Sequence, residues 1–173
     1  SPLPSVPTYA DLYAAMFEAA DTELGRFFDA MTPEQLATTT IILLGDNGTP
    51  GNVMLSPNDP VRSKDTVFDG GVQVPMLVRS PYVTAPGVSD ALIQTTDLFA
   101  TVAHVAGVDV FGRAGLDSFS FLPQLVDPDY PGARSYIFAE EFYAGDSSFT
   151  IRSDTHKLIV HSYTAQEELY AYS

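Results

Sequence analysis

The sequence predicts an α/β fold: part of a mixed, mostly parallel sheet covered by helices, followed by a small C-terminal antiparallel β subdomain. Three observations carry the prediction. The run Ile41-Ile42-Leu43-Leu44 is apolar at every position, the pattern of a strand covered on both faces, as in a parallel sheet sandwiched by helices. Segments with apolar residues at helical spacing and a start signal stand before and after it. The final third changes character, to short β-forming runs in hairpin succession. A hydrophobic fraction of 45% over 173 residues suffices to bury a core, so neither disorder nor a fibre is expected.

After a Pro-rich lead, Thr8 caps a helix whose Leu12, Met16, Ala20, Leu24 and Phe27/Phe28 recur at helical spacing, with Asp11 in the N3 place of a capping box. That helix is expected to bury one stripe, with Tyr9, Tyr13, Phe17, Phe27 and Phe28 as packing residues. Thr32-Pro33-Glu34-Gln35 repeats the start signal for a short helix that leads into the strand at 39–44. From Gly45 to Gly71 the chain has little periodicity and is dotted with Gly, Pro, Asn and Asp; a loop this long inside a domain tends to be functional or disordered. Val72–Val78 reads as a second strand, pushed toward an edge or a bulge by Pro75. Thr95 or Thr96 caps a helix carrying Leu98, Phe99, Val102, Val105 and Ala106, with Asp97 in its first turn and Gly107 as its stop. Tyr136–Phe142, Phe149–Arg152, Leu158–His161 and Leu169–Tyr172 read as short strands of an antiparallel sheet. The organisation expected is a core portion over 1–125 and the antiparallel subdomain over 126–173.

Charge narrows the partners. With 8 Lys+Arg against 22 Asp+Glu the formal net charge is -14, a surface that repels phosphate backbones and anionic headgroups, so neither nucleic acid nor a membrane is expected as a partner. The absence of cysteine excludes a disulfide frame, a thiolate metal site and a cysteine nucleophile from these residues. No apolar run approaches the ~20 residues of a membrane span, and the lead SPLPSVP has neither the basic nor the apolar region of a signal peptide.

Asp46 and Asn47 stand at the carboxyl end of the apolar strand, where open sheets gather ligands. A carboxylate and an amide carbonyl are hard oxygen donors, suited to calcium or magnesium and poorly suited to zinc. The same Asp-Asn-Gly also reads as an ordinary turn. Lys64 lies on the same loop, just before Asp69-Gly70-Gly71. An ammonium near a hard cation implies an anion between them, such as phosphate or sulfate; the plainer reading is a solvated loop lysine. Other candidates weigh less. His104 reads as a satisfied helix histidine, His156 and His161 fall on opposite faces of a continuous strand, and so do the adjacent Glu140 and Glu141.

The ordered blocks TTIILLGDNG, K-x-x-x-x-DGG-V-Q-V-P-M-L-V-R-S-P, TTDLFATVAHVAG, LDSFSFLPQL and FTIRSDTHKLI with ELYAY together resemble the C-terminal half of a type I sulfatase, of the alkaline phosphatase-like superfamily. The helix carrying Asp21, Gly25 and Arg26 is similar to the one that precedes the DNG strand in that family. The resemblance implies a calcium ion, with magnesium as the alternative, held in part by Asp46 and Asn47, and a sulfate contact from Lys64. DGG stands where the family usually has EGG. It further implies a formylglycine nucleophile made from C/S-x-P-x-R in an upstream half; neither Ser1-Pro2-Leu3-Pro4-Ser5 nor Ser80-Pro81 fits that motif, so the chain alone is expected to be inactive.

The parent reaction expected from the resemblance is hydrolysis of a small-molecule or carbohydrate sulfate ester. Phosphoester or phosphonate hydrolysis by the same scaffold is the alternative within the superfamily, and a non-catalytic calcium-binding or interaction module the alternative outside it. The missing N-terminal half, or a second copy, is the expected protein partner, and a periplasmic or secreted location is favoured by the resemblance.

Overall fold

Thr8 opens α1 (Tyr9–Asp29) with the capping box the sequence encodes: its hydroxyl accepts from the Asp11 N–H at 3.2 Å, and the Asp11 carboxylate accepts from the Thr8 N–H at 2.8 Å. The Thr8 hydroxyl, which donates to the Asp11 carboxylate at 2.7 Å, and then the Thr8 N–H hold the Asp11 carboxyl below the ordinary carboxylate range. The computed structural model describes residues 4–110, 116–143 and 146–172, so the first three residues of the Pro-rich lead fall outside the described residues. The chain divides into two compact units, Ser1–Arg79 and Ser80–Ser173.

In the first unit, α1 forms as expected but does not bury its stripe. No residue of it is buried, and Met16 stands 67% exposed and Phe27 59%. Its aromatic residues meet one another instead, Tyr13 edge-on to Phe17 and Phe27 edge-on to Phe28. Periodicity reports which face seeks cover; it cannot supply the neighbour that gives it. Thr32 caps α2 (Pro33–Thr38) with the second capping box, Gln35 at N3 and Pro33 in the first turn.

β1 (Ile41–Leu44) pairs antiparallel with β2 (Met76–Arg79), Ile41 opposite Arg79 and Leu44 opposite Met76. The fully apolar run suggested a parallel neighbour with both faces covered, yet the ladder formed is antiparallel and Leu43 and Leu77 remain exposed. β2 also starts later than expected. Residues Asp69–Val72 form a helical turn, α3, and the strand begins only after Pro75, which has no N–H to donate to the ladder although its carbonyl accepts from the Gly45 N–H at 3.1 Å. Between β1 and α3 the chain makes two short 3-10 turns, Gly51–Val53 and Pro60–Arg62.

In the second unit, α4 (Asp97–Val105) ends where the sequence places its stop. Gly107 takes φ +73°, its N–H donates to His104 O, and the Val108 N–H donates to Ala103 O at 2.8 Å, closing a Schellman cap. The start differs from expectation. Thr96 precedes the helix without a side-chain cap: its backbone is already right-handed helical, φ -59° and ψ -25°, and its hydroxyl accepts from Arg134 Nη2 at 3.2 Å. Asp97 is a buried ion-pair partner, not only a first-turn acid. Arg134 Nη2 and Nε reach its carboxylate at 2.7–3.0 Å, and the N–H groups of Gln94 and Phe119 donate to the same oxygens. Asp117 joins at 2.8 Å, and the guanidinium lies 4.7 Å from the Phe119 ring centroid. The Asp97 hydrogen bonds raise the Arg134 pKa against the opposing effect of burial. Ala100, Thr101, Val110, Phe121 and Leu122 of this unit are buried, Phe121 and Leu122 at the start of α5 (Leu122–Val126).

The antiparallel sheet expected at the C-terminal end is present, with strand order β3 (Ile137–Tyr143), β4 (Asp146–Arg152), β5 (His156–His161), β6 (Gln166–Ala171). One face carries the buried Thr150, Lys157 and Ile159; the other presents Phe138, Phe149, Ile151 and Leu169 to solvent. His161 bridges three strands on the first face, with Nδ1 at 3.0 Å from Ser148 Oγ and Nε2 at 2.9 Å from Glu168 Oε1.

Candidate functional site

The site candidates lie in the first unit, where three segments distant in sequence are stitched together by backbone hydrogen bonds. β1 delivers Gly45, whose N–H extends the ladder to Pro75 O. The chain then leaves the sheet through Asp46 and Asn47. Gly48 N–H donates to Gly71 O at 2.8 Å, fastening the loop to α3, and Thr49 O accepts from the Lys64 N–H at 2.9 Å. The backbone of Lys64 is therefore fastened to the same loop that carries Asp46 and Asn47, at Thr49 two residues after Asn47.

The glycines of this knot are there for close approach. A Cβ on Gly48 would lie 1.9 Å from Gly70 O, on Gly71 2.1 Å from Thr66 O, and on Gly70 2.3 Å from Arg62 O. No side chain fits at any of these positions without moving backbone, so the glycine-rich composition of 45–71 is a packing requirement. The turn at 63–66 is held from beneath: Ser63 and Val67 are buried, and Thr66 Oγ1 donates to Ser63 O at 2.6 Å. On top of it Lys64 and Asp65 are exposed, and Asp65 adopts φ +66°.

Asp46 is exposed and Asn47 half-buried, and among the described residues neither their side chains nor that of Lys64 has a hydrogen bond or ion pair. This donor set fits a hard cation: a carboxylate and an amide carbonyl in succession, both with oxygens uncommitted to protein. It fits only part of one. Calcium takes about 6–8 oxygens, and among the described residues no group of three or more His, Asp or Glu gathers around a common point.

The lesser candidates resolve into structural roles. His104 Nδ1 sits 3.0 Å from Ser120 Oγ, a satisfied helix histidine. His156 and His161 occupy opposite faces of β5, and Glu140 and Glu141 opposite faces of β3. The feature that the sequence reading missed is Asp65, a non-glycine residue in the left-handed region beside Lys64; the only signal was an Asp following Lys in a loop, which is no signal by itself.

Comparison with known proteins bears on what such an arrangement does. Residues 4–108 match the sulfatase family. The mouse (Mus musculus) steryl-sulfatase is 31% identical over 136 residues, which is 73% of this chain and 22% of that protein. The crystal structure of Ps i-CgsB in complex with k-i-k-neocarrahexaose is similar with TM-score 0.80 at 25% identity, over 96% of this chain and 38% of that one. The phosphonate monoester hydrolase SpPMH from Silicibacter pomeroyi shares the fold with TM-score 0.59 at 18% identity, over 94% of this chain and 32% of that one. The chain spans between 19% and 28% of the length of the curated relatives it matches.

Proposed function

The chain belongs to the sulfatase family, and on that premise we propose that it supplies the metal- and sulfate-contacting loop of a hydrolase that cleaves sulfate esters. The observation that supports the reading is the pair of backbone bonds, Gly48 N–H to Gly71 O and Lys64 N–H to Thr49 O, which fasten the backbone after the DNG turn to α3 and to the turn that carries Lys64. Asp46 and Asn47 would hold a calcium ion, with magnesium the alternative. When bound, such a cation supplies Lewis-acid polarisation of an anionic substrate. Lys64 places its ammonium beside the sulfate oxygens. At a separation near 4 Å that attraction amounts to about 1 kcal/mol in bulk water and about 4 kcal/mol near a protein surface, and it grows as water is excluded.

The nucleophile, a formylglycine made from C/S-x-P-x-R, belongs to sequence outside these 173 residues. The exposed stripe of α1 and the exposed Leu43 and Leu77 are surfaces suited to cover by the rest of such a protein, whose relatives are several times longer. A carbohydrate sulfate is the substrate class favoured, on the likeness to Ps i-CgsB with its bound neocarrahexaose.

The likeness to SpPMH favours one second reading, hydrolysis of a phosphonate monoester. The full-length gene product separates the two by intact mass and by turnover of an aryl sulfate beside the matching aryl phosphonate. A mass lower by about 18 Da, as cysteine becomes formylglycine, with preference for the sulfate, is the expected result. Preference for the phosphonate would replace the reading, and inertness to both would overturn it.

A further inference from the structure

Resting on the proposed role of Lys64, we infer that Asp65 is a positioning residue for Lys64, acting through its left-handed backbone. Asp65 has φ +66°. Among the described residues the only other non-glycine residue with positive φ is Ala165, in the β5–β6 connection. A residue with a Cβ enters this region against steric resistance; Asp and Asn do so most readily because a short polar side chain can bond locally. Such outliers persist where the surrounding structure over-determines them, and here it does.

Upstream, Ser63 is buried, its carbonyl accepts from Thr66 Oγ1, and it lies against the backbone of Gly71. Lys64 is tied through its N–H to Thr49 O, two residues from Asn47. Downstream, Val67 is only 1% exposed. With Ser63 and Val67 both fixed in the interior, the chain must rise, present Lys64, and return within three residues. The left-handed turn at Asp65 makes that return. An extended or right-handed conformation there would carry the chain away from Val67's seat or draw the Lys64 N–H off Thr49. The Asp65 side chain itself is exposed, so the backbone, not the carboxylate, does the positioning.

The test uses the full-length enzyme and an aryl sulfate, with Asp65→Asn, Asp65→Ala, Asp65→Val, Lys64→Ala and the Asp65→Val/Lys64→Ala double variant. Asparagine tolerates the left-handed region without the charge, alanine resists it, and a β-branched residue resists it most. The expected result is kcat/KM within twofold of the parent for Asp65→Asn, a loss of about threefold to tenfold for Asp65→Ala, and a larger loss for Asp65→Val. In the Lys64→Ala background, Asp65→Val should cause no further loss. Should Asp65→Val prove insoluble, Asp65→Ala replaces it in the double variant.

A purely structural turn would lower the melting temperature of Asp65→Ala while leaving kcat/KM at the parental value, and that outcome overturns the inference. So does an equal loss from Asp65→Val in both backgrounds. A Lys64→Ala enzyme of parental activity overturns the role of Lys64 and the inference with it, whereas an impaired Lys64→Ala beside parental Asp65 variants overturns the inference alone.

Discussion

Replacing Gly48 by alanine probes the knot that assembles the site. The new Cβ would lie 1.9 Å from Gly70 O and 2.6 Å from Gly71 Cα, where real Cβ atoms stay beyond 3.0 Å. The DNG loop and α3 must therefore part by about 1.1 Å, enough to break the 2.8 Å bond from Gly48 N–H to Gly71 O. Losing that bond costs about 0.5–1.5 kcal/mol, and forcing a methyl into a filled space costs about 1–3 kcal/mol more. Conformational strain contributes nothing, since Gly48 lies outside the positive-φ region. The variant should lose about 1.5–4.5 kcal/mol in urea denaturation, and the Lys64 amide should lose protection in hydrogen exchange. Gly25→Ala, in mid-helix with nothing within 4 Å of the added Cβ, should instead gain about 0.5–1 kcal/mol. A Gly48→Ala protein within about 0.5 kcal/mol of the parent, with the Lys64 amide still protected, would refute the packing argument.

Two further outcomes are expected. Arg134→Met leaves the buried Asp97 carboxylate without its cation but with the Gln94 and Phe119 N–H donors, so the loss should fall at the lower end of the range for broken buried pairs, about 3 kcal/mol, read from urea midpoints. The start of α1 should loosen in acid: Asp11 has a folded-state pKa below its ordinary value of 3.8, so its contribution is present above that pH and is lost as pH falls through the lower, folded value. Circular dichroism from about pH 5 to about pH 2 should show this loss for the parent and not for Asp11→Asn.

What the sequence made legible is what is local. Both capping boxes and the Schellman stop at Gly107 depend on residues within one turn of each other, and all three form as the pattern requires. The four strands of the C-terminal sheet were placed by composition, with edges displaced by a few residues. What failed depends on distant partners. Apolarity marked β1 correctly but could not say that its neighbour runs antiparallel. The helical turn Asp69–Val72 holds two glycines, which argue against helix, and they are needed there because Arg62 O and Thr66 O crowd the space that any side chain would occupy. Asp97 and Arg134 are 37 positions apart, beyond the reach of any local pattern.

The site divides the same way. Asp46 and Asn47 were legible as hard donors at a strand's end. Their association with Lys64 had only a shared loop and a family resemblance behind it; what the structure adds is a backbone bond from the Lys64 N–H to Thr49 O, two residues after Asn47. Asp65 was illegible because its significance is a backbone angle.

Calorimetric titration of calcium into the full-length protein and its Asp46→Ala and Lys64→Ala variants tests the metal reading most directly. Asp46→Ala is expected to bind calcium at least about tenfold more weakly, since one of few charged ligands is gone, while Lys64→Ala should bind it as well as the parent or better, having lost a repelling charge. Calcium affinity unchanged in Asp46→Ala would contradict the assignment of Asp46 as a ligand and, with it, the proposed site.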